Sequence, residues 1–207
     1  MPRILLLLLA AACAPSPISL QTGPRGFTAD DYSRVYEDWT RDADKFAWGN
    51  LDDILHVTAT FESWEFRWAY IVRYAEDHSL EAPRRAEMLR ATLDDASENH
   101  RFFVTLAGVN FREQNLSART SAWRIILVDP EGRQTVPAEI RRVRRPSAVE
   151  QVYFPSVHPH RQTFRIVFPA TREDGTETIP ADAESVVLRF AGPRGRVDLT
   201  WRFDLPS

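Results

Sequence analysis

The chain has 207 residues, of which 43% are hydrophobic, and these values fit one sizeable globular domain with an ordinary core. Its 26 basic and 29 acidic residues give a formal net charge of −3 at pH 7, which does not indicate nucleic-acid binding. The sequence contains one cysteine and lacks the short motifs of serine hydrolases, zinc proteases, phosphate-binding loops and dithiol redox sites, so we predict no enzymatic activity and no cofactor.

The first thirteen residues have the pattern of an export signal. Arg3 supplies a positive charge, an apolar run follows from Ile4 to Leu9, and small residues precede Cys13. The apolar residues 4–12 would extend only about 14 Å as a helix, which is too short for the roughly 30 Å apolar core of a bilayer. Residues 1–12 are therefore predicted to be a signal peptide that is removed.

The residues from Ala10 to Cys13 resemble the lipobox of bacterial lipoproteins. The resemblance implies that Cys13 becomes the N-terminus, carries acyl chains and anchors the protein to a membrane of the cell envelope. Because Ala14 stands where an aspartate would direct retention, it implies the outer membrane, facing the periplasm, in a Gram-negative cell. Two alternatives remain open: ordinary signal-peptidase cleavage after Ala12 would leave a free thiol, and the apolar run could stay uncleaved.

The segment 13–27 is rich in proline and glycine and has little apolar surface to bury. It is predicted to be a flexible, lipid-anchored tether that holds the folded body off the membrane. Residues 28–207 are predicted to form a single domain. The domain should begin with a helix over about residues 29–39, because Thr28 and Asp31 have the spacing of a capping box.

Two consecutive amphipathic helices are predicted at about residues 64–98, as an insertion between two strands. In the first helix, Trp64 and Trp68 lie on the inward side, and Arg67 is assigned to the side that faces solvent. The residues expected to point inward from the second helix are Ala86, Leu89, Leu93 and Ala96. This helical hairpin is expected to cover the apolar face of one sheet.

The outward side of the predicted hairpin carries Arg84 and Arg85 among acidic residues. A surface of mixed charge suits a protein partner better than a lipid. These two arginines are therefore predicted to bind a protein of the envelope.

Alternation of apolar and polar residues predicts one strand at 54–62 and several more after residue 101. In the first of these strands, His56, Thr58 and Thr60 are expected to face water. The later strands are predicted from the sets Phe102-Val104-Leu106, Trp123-Ile125-Leu127, Phe164-Ile166-Phe168, Val186-Leu188-Phe190 and Val197-Leu199-Trp201-Phe203, with further candidates at 135–142 and 151–154. The predicted class is α+β. The strand pattern resembles an antiparallel, immunoglobulin-like β-sandwich that carries the helical hairpin and the N-terminal helix.

His158 and His160 are candidates for metal binding. Residues two apart on an extended chain face the same way, so both imidazoles could reach one Zn²⁺ or Cu²⁺. Such a site needs further ligands, and the sequence does not supply them at a recognisable spacing. The alternative is a surface loop between strands.

Four arginines flank Val143 in the segment 141–145. Arg142 and Arg144 could hold phosphate or sulfate groups of anionic envelope glycolipids through bidentate hydrogen bonds. The alternative is a charged sheet edge that prevents association with other sheets, in which Glu139 and Glu150 dilute the positive charge.

We therefore predict a non-enzymatic binding or scaffold module of the cell envelope that has a protein partner. The alternative is a carrier or sensor of a small apolar or anionic envelope ligand, with the helical hairpin as a lid. An enzyme without a recognisable motif is the third interpretation. The fold class does not choose among them, because β-sandwiches perform all three roles.

Overall fold

The computed structural model describes residues 18–47, 52–108 and 115–204. The strands in this part of the chain are β1 (Thr40–Ala47), β2 (Asp52–Phe61), β3 (Asn99–Ala107), β4 (Arg124–Val128), β5 (Gln134–Thr135), β6 (Glu139–Val143), β7 (Gln162–Pro169), β8 (Ser185–Gly192) and β9 (Gly195–Arg202). A 3-10 helix at Ala29–Asp31 leads into α1 (Tyr32–Trp39), and the later helices are α2 (Trp64–Asp77), α3 (Ala82–Glu98) and α4 (Ala148–Tyr153). No helix within these ranges is long and apolar enough to cross a bilayer. The predicted signal peptide and Cys13 lie outside the described residues, so lipidation stays a prediction.

The strands form two antiparallel sheets that pack face to face. One sheet has the order β1-β2-β3-β7-β6, and the other has the order β5-β4-β8-β9. The core between them contains Phe61 and Phe102 of the first sheet and Trp201 of the second, whose ring centroid lies 5.3 Å from that of Phe102. The predicted α+β class with antiparallel sheets is confirmed.

The last strand, β9, follows its predicted register. Leu199 and Trp201 are buried on the inward face, and Phe203 is buried just after the strand. Arg202 is exposed on the opposite face. Apolar residues at every second position thus direct one face of the strand into the core.

The helical insertion lies at its predicted place, between β2 and β3. These two strands are neighbours in the same sheet and pair antiparallel, with Phe61 opposite Phe102. Helices α2 and α3 therefore replace the short turn of a β-hairpin. The Ser63 side chain caps α2 by accepting a hydrogen bond from the backbone N–H of Phe66 at 3.1 Å.

The prediction that Arg67 faces solvent is wrong, because this residue is only 4% exposed. Its guanidinium donates to the backbone carbonyls of Glu62 at 2.7 Å, Thr92 at 2.9 Å and Asn99 at 3.2 Å. It also forms an ion pair with Asp95 of α3. An arginine has five N–H donors, so one buried guanidinium can join the ends of several elements. The charge alone would have placed this side chain in water.

The expectation that both helices of the hairpin cover a sheet is also wrong. Of the four residues expected to point inward from α3, only Leu93 is buried, and Ala86 is exposed. Helix α3 packs mainly against α2, on the outside of the molecule. Its apolar stripe is therefore covered in part by α2 and is otherwise exposed to solvent.

Three strand predictions need correction. The eight-residue strand β1 was not predicted, because four of its residues are charged and no alternation is visible. The candidate strand at 135–142 is two strands, since β5 and β6 belong to different sheets. The candidate strand at 151–154 is part of helix α4, in which Ser147 and Glu150 cap each other: each backbone N–H donates to the other's side chain, at 2.8 and 3.1 Å.

The last ten residues of the predicted tether, 18–27, contact the folded body. Ile18 is buried, receives a hydrogen bond from the N–H of Asp204 at 2.9 Å and donates to the carbonyl of Arg202 at 3.1 Å. Further along, Trp64 donates its indole N–H to the carbonyl of Gly23 at 2.9 Å. Within the expected tether, only residues 13–17 lie outside the described residues.

The outer face of the five-stranded sheet is not the water-facing surface expected for β2. Thr58 and Thr60 are 4% and 0% exposed. Helices α1, α2 and α4 lie over this face, and their contacts include all five tyrosines of the chain, Tyr32, Tyr36, Tyr70, Tyr74 and Tyr153. This aromatic layer is continuous with the core between the sheets, and it leaves one end of the sheet face uncovered.

Candidate functional site

Two adjoining cavities lie at the uncovered end of the five-stranded sheet. The smaller, of about 260 Å³, is lined by Arg142, Arg144, His158 and Arg161 and is called the basic pocket here. The larger, of about 640 Å³, shares His158 and Arg161 with it and is called the polar cleft. The structure thus brings together one candidate histidine and both candidate arginines of the 141–145 segment.

The basic pocket is assembled from two segments that are adjacent because β6 pairs with β7. Arg142 lies near the end of β6, and Arg144 follows the strand directly. The loop after α4 returns to β7 through a turn in which the N–H of Arg161 donates to the carbonyl of His158 at 2.9 Å. Pairing of Val143 with Thr163 then sets the two segments side by side.

Hydrogen bonds orient Arg161 at the boundary between the two cavities. Its Nη1 donates to the hydroxyl of Thr58 at 2.9 Å. The Thr58 hydroxyl in turn donates to the carboxylate of Asp42 on β1. Because Thr58 is buried, this chain of bonds holds the guanidinium at a defined place.

The acidic residues expected to dilute the arginine charge pair with arginines that do not line the basic pocket. Glu139 lies 3.7 Å from Arg141 in an exposed ion pair. Glu150 pairs with Arg165 at 3.1 Å and caps α4. Burial works against ionisation of Glu150, but the Ser147 N–H and the Arg165 guanidinium outweigh it and lower the pKa of this carboxyl. No carboxylate is found among the described side chains that line the basic pocket.

The two candidate metal ligands lie close together, but they differ in their position relative to the cavities. The ring centroids of His158 and His160 lie 5.3 Å apart, and the backbone N–H of His160 donates to Nδ1 of His158 at 3.4 Å. Both histidines are exposed, and His158, unlike His160, lines the two cavities. The described residues include no group of three or more histidine, cysteine or acidic side chains that could hold a metal ion.

The candidate partner-binding residues of the helical hairpin lie away from this site. Arg84 and Arg85 are exposed near the start of α3, and Arg84 pairs with Glu87 at 2.6 Å. Neither lines the basic pocket or the polar cleft. Binding of a protein partner by these arginines stays a prediction.

Three residues of the site were missed by sequence reasoning. Arg161 directly follows the candidate histidines, so its position was a usable signal. Thr58 and Asp42 gave no signal, because one was assigned to a wet strand face and the other lies in the unpredicted strand β1.

The charge pattern of the basic pocket determines what it can do chemically. Guanidinium groups form bidentate, charge-assisted hydrogen bonds with phosphate, sulfate and carboxylate groups, and a neighbouring imidazole can donate another. The arrangement is thus suited to holding a small anionic group.

Comparisons of this chain with models of protein families, with curated proteins and with solved structures found no match.

Proposed function

We propose that this chain is a lipid-anchored protein of the cell envelope that binds an anionic ligand without catalysing a reaction. The observation that supports this function best is the convergence of Arg142, Arg144, Arg161 and His158 on one pocket, whose described lining residues include no carboxylate. A hydrogen bond to a charged group contributes roughly 1.5–3 kcal/mol, so two or three arginine contacts can hold a single phosphate or carboxylate.

The position of the N-terminal segment supports a folded body that lies close to the membrane. Ile18 is bound to the end of β9, five residues after Cys13. Five residues span at most about 18 Å. If Cys13 carries the acyl chains, the folded body is held beside the bilayer and not at the end of a long tether.

The helical hairpin has no part in the proposed site. The basic pocket is lined by residues of β6, α4, β7 and the loops between them, so the alternative in which the hairpin is a lid receives no support from the lining residues. The immunoglobulin-like arrangement of the sheets also belongs to the proposal. It is supported by two antiparallel sheets that pack face to face.

Isothermal titration calorimetry of the purified full-length protein with inorganic phosphate and pyrophosphate tests this function. Arg144→Ser and Arg161→Ser should each weaken binding about tenfold, because each removes one charge-assisted contact. Arg85→Ser is the matched control, since it removes the same charge from exposed α3 and should leave binding unchanged. Absence of binding, or equal weakening by all three substitutions, would contradict the proposal.

A further inference from the structure

The polar cleft is chemically different from the basic pocket that it adjoins. Besides His158 and Arg161, its lining includes Tyr36, Glu37 and Asp42. Its volume of about 640 Å³ is much larger than a phosphate group requires and lies in the range of small-molecule sites. A ligand whose charged group occupies the basic pocket therefore has room to extend into the cleft.

The side chains of the cleft favour a part of the ligand that carries hydroxyl groups. The carboxylates of Glu37 and Asp42 are hydrogen-bond acceptors, and they would repel a second anionic group. Hydroxyl groups can donate to these carboxylates and also accept from Arg161. The ring of Tyr36 adds an apolar surface of the kind on which the carbon face of a sugar ring can pack.

The linkage between the two cavities runs through hydrogen bonds to the buried side chain of Thr58. Asp42 accepts from Thr58, which accepts from Arg161 at 2.9 Å. Thr58 pairs with Thr105 on β3, and the hydroxyl of Thr105 has no partner among the described residues although it is fully buried. The carboxylate of Asp42 in the cleft and the guanidinium of Arg161 in the basic pocket are thus held at fixed positions relative to each other. This arrangement would suit a ligand that carries hydroxyl groups beside an anionic group.

We propose that the ligand is an anionic saccharide, with its phosphate or carboxylate in the basic pocket and its sugar ring in the polar cleft. This inference rests on the proposed function and specifies the class of its ligand. Such a saccharide can be soluble or can be the headgroup of a glycolipid. The cleft also shares Tyr36, Glu37 and Pro155 with an apolar groove in which Val152 is 66% exposed, so the lipid-linked form has apolar surface close by.

Calorimetry with inorganic phosphate, glucose and glucose 6-phosphate tests the ligand class on the full-length protein. Glucose 6-phosphate should bind at least about tenfold more tightly than inorganic phosphate, because only the sugar reaches the cleft. Equal affinities for the two would overturn the saccharide inference and leave the proposed function standing. Failure of both to bind would overturn the two together.

The substitution Asp42→Asn separates hydrogen bonding from simple electrostatics. It removes a negative charge near the basic pocket, so inorganic phosphate should bind equally well or slightly better. Glucose 6-phosphate should bind about tenfold more weakly, because a charge-assisted acceptor for its hydroxyl groups is lost. Arg144→Ser should weaken both probes to the same extent. Changes of the same sign for both probes in Asp42→Asn would overturn the inference.

A competition experiment distinguishes the two sources of the saccharide. Phosphatidylcholine vesicles with lipid A, a phosphorylated glycolipid, should displace bound glucose 6-phosphate if the lipid-linked form is preferred. Vesicles of phosphatidylcholine alone are the control. Displacement by the glycolipid vesicles would identify a lipid-linked saccharide. If glucose 6-phosphate stays bound in their presence, the saccharide is a soluble one. Either result supports the proposed ligand class. Equal displacement by both vesicles would overturn the saccharide inference, because bilayer binding alone would explain it.

Discussion

The indole N–H of Trp201 donates a hydrogen bond to the backbone carbonyl of Trp39 across 2.9 Å. Both side chains are fully buried, and the bond connects the last strand to the point where helix α1 passes into β1. It thereby joins the four-stranded sheet to the layer of helices on the far side of the other sheet. Trp201 is therefore both a core side chain and a connection between layers.

Truncation of Trp201 should strongly destabilise the domain. Trp201→Ala is expected to lower the free energy of unfolding by about 3–5 kcal/mol, since it leaves a large cavity between the sheets. Trp201→Phe keeps most of the apolar contact but leaves the Trp39 carbonyl without its donor, which should cost about 1–3 kcal/mol. Urea denaturation followed by circular dichroism measures both. Equal stabilities for wild type and Trp201→Ala would contradict the observed register of β9.

The buried Arg67 should contribute more to stability than the more exposed Arg73 on the same helix. Arg67→Met removes the donors to three carbonyls and leaves Asp95 without this partner, so a loss of roughly 3 kcal/mol is expected. Arg73 is the matched control, because it forms a more exposed pair with Asp77 at 2.8 Å within α2. Arg73→Met should change the free energy of unfolding by less than about 1 kcal/mol. Similar losses in the free energy of unfolding for the two variants, measured by urea denaturation, would contradict the role of Arg67 in joining these elements.

These residues show how far the sequence determines the fold. Phe164 to Phe168 and Leu199 to Phe203 alternate clearly because one face of each strand is buried, and that is the condition under which alternation predicts a strand. Strand β1 is an edge strand that is held by backbone pairing with β2, so its composition carries no such pattern. Arg67 is charged, and only tertiary contacts decide that a charged residue is buried.

The candidate site was predictable only in part. The charge run identified Arg142 and Arg144, and the histidine pair identified His158. Their meeting with Arg161 depends on the pairing of β6 with β7, which brings together residues about twenty apart in the chain. Spacing in the sequence does not indicate such a contact, because it is set by tertiary structure.

The stability of the domain should fall between pH 6.5 and pH 4 through His100. Burial, together with the charge of Arg67, lowers the pKa of His100 to about 4, and its Nε2 is enclosed without a partner among the described residues. The unfolded chain binds a proton at the ordinary pKa near 6.5. Above pH 6.5 both states are neutral at this residue, so its effect appears only as the pH falls from 6.5 and levels off below 4.

The measurement compares wild type with His100→Gln at pH 7 and pH 5. His100 alone should make the wild type about 2 kcal/mol less stable at pH 5 than at pH 7. The glutamine variant has no titrating group at this position and should lose correspondingly less stability over the same interval. An identical loss in both proteins would show that His100 titrates normally in the folded state.

Membrane attachment should depend on Cys13 alone, whereas the body should fold without it. Cys13→Ser removes the only thiol of the chain and hence the acylation site that the lipobox-like segment implies. Metabolic labelling with a tagged fatty acid should mark the wild type and not the variant, and the variant should leave the membrane fraction or remain unprocessed. Because the described core is built from Ile18 and residues after it, the circular dichroism spectrum and thermal unfolding of the two proteins should agree. Equal labelling of both would show that the thiol is not the anchor, and the proposed position of the folded body beside the bilayer would then lose its basis.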